Sequence, residues 1–220
     1  EDASIVEEDG TLFVESSVVG SNLNLESGGA IEQTTDATLI VQGDTTLRAV
    51  DGLTEQPETV RLTGANDFAG QLGISNAGDV ALNDIGDLSL QDLLVNGTLD
   101  ITAGRNIVAT VPINLQVEGL VDLRAERDIR LAEGVNATGS ILMQAGGDIE
   151  LAGTSRVAGE LDIIAGGRIA QQSDVAAAQV QYQASEIQME ASSTTRATNS
   201  TIDYRATGGS IRLGNIFTAG

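Results

Sequence analysis

The chain has no cysteine, no histidine, no lysine and no tryptophan in its 220 residues. Without cysteine there is no disulfide scaffold and no thiolate metal site. Without histidine or lysine, two of the usual side chains for proton transfer at neutral pH are missing. Aromatics make up 2%, namely Phe13, Phe68, Tyr182, Tyr204 and Phe217, and a compact globular core of this size would use more. Rings that could act as sugar platforms are correspondingly scarce. Proline occurs twice, at Pro57 and Pro112. No apolar run approaches the ~18 residues needed to cross a bilayer as a helix. The chain starts EDASIV, with neither an initiator methionine nor a signal peptide.

What is present is aliphatic, glycine-rich and acidic. Hydrophobic residues make up 41%, mostly Val, Ile, Leu and Ala, which suits thin stacked layers. Glycine occurs 26 times, about 12%, against an average near ~7%, so many tight turns are needed. The net charge is −21, and all 11 positive charges are Arg. Such a surface repels nucleic acid and anionic membranes, which are therefore not expected as partners. It attracts divalent cations such as Ca²⁺ loosely and without specificity, and its plain reading is a solvated face that resists aggregation.

The phrase ILMQAGGDIEL (141–151) returns as LDIIAGGRIAQ (161–171). Its equivalents start at Leu99, Val121, Ile141, Leu161, Val180 and Ile202, so a unit of roughly 20 residues repeats with small slips. Within a unit the apolar residues alternate, as in Val121, Leu123 and Ala125 around Asp122 and Arg124. That is strand periodicity with one buried face. A second strand follows a glycine-rich corner (Ile129 and Leu131, Ile149 and Leu151, Ile187 and Met189, Ile211 and Leu213). A third apolar point follows at Val117, Val135, Val157 and Val175. The same strand types recur in one order, without hairpin signals between them. The expected fold is therefore all-β, a right-handed parallel β-helix of roughly 20 residues per coil. Eleven coils at ~4.8 Å each would make a rod about 50 Å long.

Register can be read down the columns. Ile101, Leu123, Met143, Ile163, Tyr182 and Tyr204 form one inward column, and Ala103, Ala125, Ala145, Ala165, Ala184 and Ala206 the next. Residues 174–192 are rich in helix formers, but Val180, Tyr182, Ala184, Ile187, Met189 and Ala191 favour strands. The N-terminal half is less regular. Leu23, Leu39 and Leu72 start phrases that fit the same template, and 78–97 reads as three more alternating strands. Residues 51–62 break the spacing and read as a loop excursion. The whole of 1–220 reads as a single β-helix segment of a longer protein, with NIFTAG as the start of another unit.

Residues 62–90 carry Asn66-Asp67-Phe68 with Gly70, then Val80, Leu82 and Asp84, then Leu88 and Leu90. This pattern resembles the repeats of large bacterial exoproteins of the filamentous-haemagglutinin type, as do the AGGDI and AGGRI phrases. The resemblance implies a secreted or cell-surface β-helix serving as an adhesin or stalk, often exported through an outer-membrane partner. The export domains of that family carry an Asn-Pro-Asn type motif. No Asn-Pro occurs here, so the segment reads as a middle or distal part of a fibre.

Few residues suggest chemistry. One outward column is Asp100, Asp122, Leu142, Asp162, Gln181 and Asp203; the next is Thr102, Arg124, Gln144, Ile164, Gln183 and Arg205. Asp100 and Asp122 on adjacent coils are the nearest thing to a carboxylate pair or a weak cation site, and a solvated ladder is the plainer reading. Ala145 to Asp148 lacks the third glycine of a calcium β-roll and does not recur in tandem. Tyr182 and Tyr204 read as an aromatic stack in the core rather than a ligand platform. The sequons at Asn96, Asn136 and Asn199 read as corner asparagines. No catalytic, cofactor or metal residue is therefore assigned, and no enzyme is expected. The expected role is a structural or adhesive stalk segment outside the cell, its host-cell, surface or matrix receptor unspecified. End-to-end self-association into a filament is the alternative, and a polysaccharide-degrading enzyme is the reading from another class.

Overall fold

The structure is a computed structural model that describes residues 1–111, 113–115 and 119–219. It contains only strands and turns among the described residues, and every strand-to-strand ladder is parallel. The sole antiparallel contact there is an isolated bridge between Val50 and Pro57. The chain winds through about 10 coils of roughly 20 residues: a β-solenoid.

Coil sits on coil in the register that the repeats predict. Ile101 pairs with Leu123, Leu123 with Met143, Met143 with Ile163, Ile163 with Tyr182 and Tyr182 with Tyr204. A second column is more uniform still: Ile107, Ile129, Ile149, Ile169, Ile187 and Ile211 stack directly. The first five are fully buried. Each such side chain contributes about 1.5–3 kcal/mol of transfer free energy, and the β-branched chains suit a pleated, half-buried surface. The alanine column lies where the chain turns. Immediately after it, Gly146 and Gly166 donate their N–H groups to Ala125 and Ala145 of the coil before. A Cβ on Gly146 would run into the Glu126 carbonyl, and one on Gly166 into that of Gly146. AGG is thus the phrase of a corner where backbone touches backbone.

Four sheets carry the coils. Sheet 1 has 11 strands, from Ala3–Glu7 to Ile211–Arg212. Sheet 2 runs from Leu12–Val14 through Ile31–Gln33, Val80–Asp84 and Leu99–Ala103 to the second half of Thr194–Ala206. Sheet 3 is confined to the N-terminal part, where Ser17–Val19 pairs with Leu39–Val41, and Ile40 and Val41 pair with Asp67 and Phe68. Sheet 4 is confined to the C-terminal part: Ile113–Leu115, Val135–Ala137, Ser155–Val157, the start of Val175–Ala184, the start of Thr194–Ala206, and Asn215–Thr218.

The third side of the solenoid therefore changes place. In the first coils the chain passes from sheet 1 to sheet 2 by a tight corner, Ser27 to Ile31, and returns through sheet 3. From Asp84 onward the passage from sheet 2 to sheet 1 is the tight one, and sheet 4 fills the other side. This explains the irregular N-terminal half. Leu23 and Leu72 belong to sheet 1, each pairing with Thr45, and Leu39 lies in sheet 3, whereas Leu99 lies in sheet 2. The three N-terminal phrases do not share the later column: Leu23 starts the same local strand-and-corner unit, but on the opposite edge. The excursion leaves where sheet 4 later develops. Asp51 accepts the N–H groups of Leu53 and Thr54 to close a turn, and the chain is back in a strand by Val60.

Other expectations need smaller corrections. Val157 does not stack on Val135; Asn136 pairs with Arg156, so Ser155 occupies that column, and its hydroxyl accepts the Val135 N–H at 3.2 Å. Val117 lies outside the described residues. Residues 174–192 do form strands, Val175–Ala184 and Glu186–Met189, but Ala191 is exposed in a turn. NIFTAG does not open a unit: Asn215–Thr218 is the sheet 4 strand of the coil begun at Thr201.

The place where sheet 3 ends is held by two buried polar side chains. Asn66 is fully buried; its Oδ1 accepts the Leu39 N–H, and its Nδ2 donates to the carbonyls of Leu62 and Asn83, spanning three coils. Asp84 is also buried, and its carboxylate accepts the N–H groups of Phe68 at 2.8 Å and Gly86 at 2.6 Å. No strand of sheet 3 follows Phe68, so Asp84 supplies the acceptor that a next strand would have supplied. Burial nonetheless pushes the Asp84 carboxyl above its usual range, the two N–H donors opposing it only in part. Replacing Asp84 with Ala leaves the buried Phe68 N–H without a partner. Asp84→Ala is expected to lower stability at pH 7 by roughly 1–3 kcal/mol in urea unfolding; an unchanged midpoint would show that the sheet needs no terminator.

Candidate functional site

Three groups of side chains warrant a functional test: the outward columns of sheet 2, the two tyrosines, and the acidic corner. Sheet 2 brings Asp100, Asp122, Leu142, Asp162, Gln181 and Asp203 into line, and beside them Thr102, Arg124, Gln144, Ile164, Gln183 and Arg205. Arg124 links three successive coils of these columns. It forms ion pairs with Asp122 of its own strand and, at 3.5 Å, with Asp100 one coil before, while its Nε donates to Gln144 one coil after at 3.3 Å. A shallow groove of about 370 Å³ lies beside it, lined by Thr102, Arg124, Glu126, Gln144, Gly146 and Ile164.

The solvated ladder is corrected at one rung. The Asp122 side chain is only 9% exposed, and its Oδ1 is buried with no hydrogen-bond partner. Burial raises the Asp122 carboxyl above its usual range; Arg124 opposes the shift and Asp100 reinforces it. Asp162 is raised for the same first reason, with Glu160 adding repulsion. Asp100 and Asp122 thus share one guanidinium, and neither is presented as a free base. Among the described residues no three carboxylates gather as metal ligands would.

Tyr182 and Tyr204 stack with ring centroids 5.0 Å apart and planes inclined at 32°. Tyr182 is buried, and its hydroxyl donates to Gln171 at 3.1 Å; Thr195 donates to the same Gln171 oxygen at 3.0 Å. Gln171 takes an inward place in sheet 1, stacked on Leu151 below and Met189 above. Burial pushes the Tyr204 phenol up to about 12. With the Thr195 proton committed to Gln171, the Tyr204 hydroxyl has no hydrogen bond. The pair packs into the core, Tyr204 only partly buried, and Tyr182 also lines a small space of about 160 Å³ with Asp162, Gln181, Asp203 and Arg205.

The acidic corner escaped the sequence reading. The residue just before seven of the 11 sheet 1 strands is Asp or Asn, and its side chain accepts the backbone N–H of the equivalent residue one coil on. Asp2 takes the N–H of Asn22, Asn22 that of Asp44, and Asp44 that of Gln71. Asp87 takes that of Asn106, Asn106 that of Asp128, Asp128 that of Asp148, and Asp148 that of Arg168. Arg105, Arg130 and Arg168 pair with Asp87, Asp128 and Asp148 at 3.9, 3.1 and 3.6 Å. The signal was present as D/N followed by an alternating strand once per coil: Asn106 before IVA, Asp128 before IRL, Asp148 before IEL. Five of the 32 acidic residues thus have a structural task at this corner. Asn96, in the first sequon, likewise donates to Asn76 and to the Ala77 carbonyl at a corner.

The fold and these ladders define a parallel β-helix repeat protein. The chain belongs to a family described as repeats of unknown function (DUF5649), whose profile matches residues 2–75 and 77–143. No curated protein and no solved structure matches it.

Because the folded-state pKa of Asp122 lies above its unfolded value, the native state holds that proton more tightly. Its contribution to stability is present below about pH 4 and is lost as pH rises through the folded pKa. Asp122→Asn is therefore expected to stabilise the chain by on the order of 1 kcal/mol at pH 7, the gain vanishing below about pH 4. Paired urea titrations at the two pH values measure it; a loss at pH 7 would show that the Arg124 pair outweighs burial.

Proposed function

We propose that this chain is a structural stalk segment of a secreted or surface-displayed adhesive exoprotein. The observation that carries this reading is how the polar side chains are spent. The corner carboxylates accept backbone N–H groups, Arg48, Arg105, Arg124 and Arg168 bridge coils by ion pairs, and the core is aliphatic columns. Such a molecule works mechanically: stability is shared between neighbouring coils, and stiffness comes from a continuous ladder along the axis. The acidic exterior suits a rod that stays soluble in a crowded medium. The resemblance of residues 62–90 to filamentous-haemagglutinin repeats supports an extracellular setting. An enzyme acting on polysaccharides would call for convergent free carboxylates and aromatic platforms in a cleft, which nothing in the sheet 2 groove supports.

Both ends of the described solenoid leave strand edges open beside exposed apolar side chains, which would favour filament formation only if the two ends matched in plan. These side chains are Ile5, Val6, Phe13 and Val18 at one end and Ile211, Leu213, Ile216 and Phe217 at the other. Arg196 lies over the Phe217 ring at 5.7 Å.

Immunogold labelling of intact producing cells, with antibody raised against this chain, tests the extracellular role. Gold on surface fibres or on material shed into the medium is the expected result; labelling confined to the cytosol would overturn it.

A further inference from the structure

The two ends of the solenoid are built on different plans. At the N-terminal end the open edges are Ala3–Glu7 in sheet 1, Leu12–Val14 in sheet 2 and Ser17–Val19 in sheet 3. At the C-terminal end they are the second half of Thr194–Ala206 in sheet 2, Ile211–Arg212 in sheet 1 and Asn215–Thr218 in sheet 4. Sheets 3 and 4 stand on opposite sides of the sheet 1–sheet 2 pair, because the third side of the coil moves across between Val60 and Leu88. If the N-terminal end of one copy met the C-terminal end of another, sheets 1 and 2 could align. Ser17–Val19 would then lie over the tight corner at Gly208 and Gly209, and Asn215–Thr218 would face the tight corner at Glu8 to Gly10. Each copy would leave one strand edge unpaired and one set of apolar side chains half covered, at Val18 and at Ile216 and Phe217. Unpaired backbone groups buried in a joint cost free energy.

We propose that the C-terminal end is a docking surface for a parallel β-coil of its own plan and excludes one of the N-terminal plan. The coil it accepts is an alternating sheet 2 strand, a tight glycine corner into sheet 1, then a sheet 4 strand. Such a coil continues the interface already present between Val175–Ala184 and Thr194–Ala206, and it covers Ile211, Ile216 and Phe217. The same asymmetry bars the chain from joining itself head to tail. A switch of plan at this end would need a joint like that of Asn66 and Asp84. The inference rests on the solenoid's pairing pattern alone and stands whether or not the chain is displayed outside a cell.

The test extends the full chain after Gly220 by one coil in two versions. One carries a copy of residues 160–178, which runs through sheets 2, 1 and 4. The other carries a copy of residues 31–49, of the same length, which runs through sheets 2, 3 and 1. Limited proteolysis followed by mass spectrometry reads the result. The matched coil is expected to be cut on the order of tenfold more slowly than the mismatched one, since cleavage follows the population of the locally opened state. It is also expected to reduce binding of a hydrophobic dye at the C-terminal end. Equal protection of both coils, or of neither, would overturn the proposal. A second measurement needs no extension. Sedimentation velocity of the unaltered chain over a wide concentration range is expected to show no head-to-tail growth, and open-ended filaments would overturn it.

Discussion

Everything in this molecule depends on one constraint: each coil must present its backbone N–H and C=O groups to the coil beside it, in register, around the whole circuit. Along the strands the constraint is met by parallel pairing. At the corners it is met in part by further backbone bonds, such as Gly146 to Ala125, and in part by side chains. The column of Asp and Asn residues that precede the sheet 1 strands does for the corner what the ladder does for the strand. The column from Asp87 to Arg168 shows how far this goes, with four successive side-chain acceptors one coil apart. Inward aliphatic columns then follow as a consequence, since a fixed register places the same side chain at the same depth in every coil.

The same constraint explains the one large irregularity. A solenoid can move its third side only where some strand edge is left without a successor. The buried pair Asn66 and Asp84 stands at that point, accepting and donating where the missing strand would have done so. The corner ladder also breaks there: Asp44 reaches Gln71, but the next acceptor, Asp87, starts a new run. Residues 62–90, the stretch that resembles filamentous-haemagglutinin repeats, are thus the joint between two coil plans. Their motif residues Asn66, Phe68 and Asp84 have a structural reason to be what they are, whatever the chain does outside its own fold.

How much of this was legible in the sequence differed along the chain. From Leu99 onward the inward and outward columns of sheet 2 could be read residue by residue, because alternation and a near-constant step leave one register. Val157 was misplaced because a buried serine, Ser155, looks polar and outward until its hydroxyl is seen taking the Val135 N–H. In the N-terminal half the strand-and-corner phrase is locally the same but sits on the other edge of the cross-section. A one-dimensional pattern carries no sign of which edge it occupies. The Asp and Asn column was visible as a spacing, yet acidic residues at corners read naturally as solvated charge. Asp122 is outward by its strand position, yet its carboxylate is buried and paired with Arg124 of the same strand, a packing that no periodicity encodes.

A stalk made this way needs corners as firm as its strands, and that is where the account can be tested most directly. Amide hydrogen exchange, resolved to single residues, should find the corner N–H groups of Asp44, Asn106, Asp128, Asp148 and Arg168 exchanging as slowly as the strand amides of their own coils. The N–H of Phe68, held by Asp84, should be equally slow. Exchange at those corners as fast as at Gly52 in the open excursion would contradict the account, because the side-chain ladder would then not be part of what holds coil to coil.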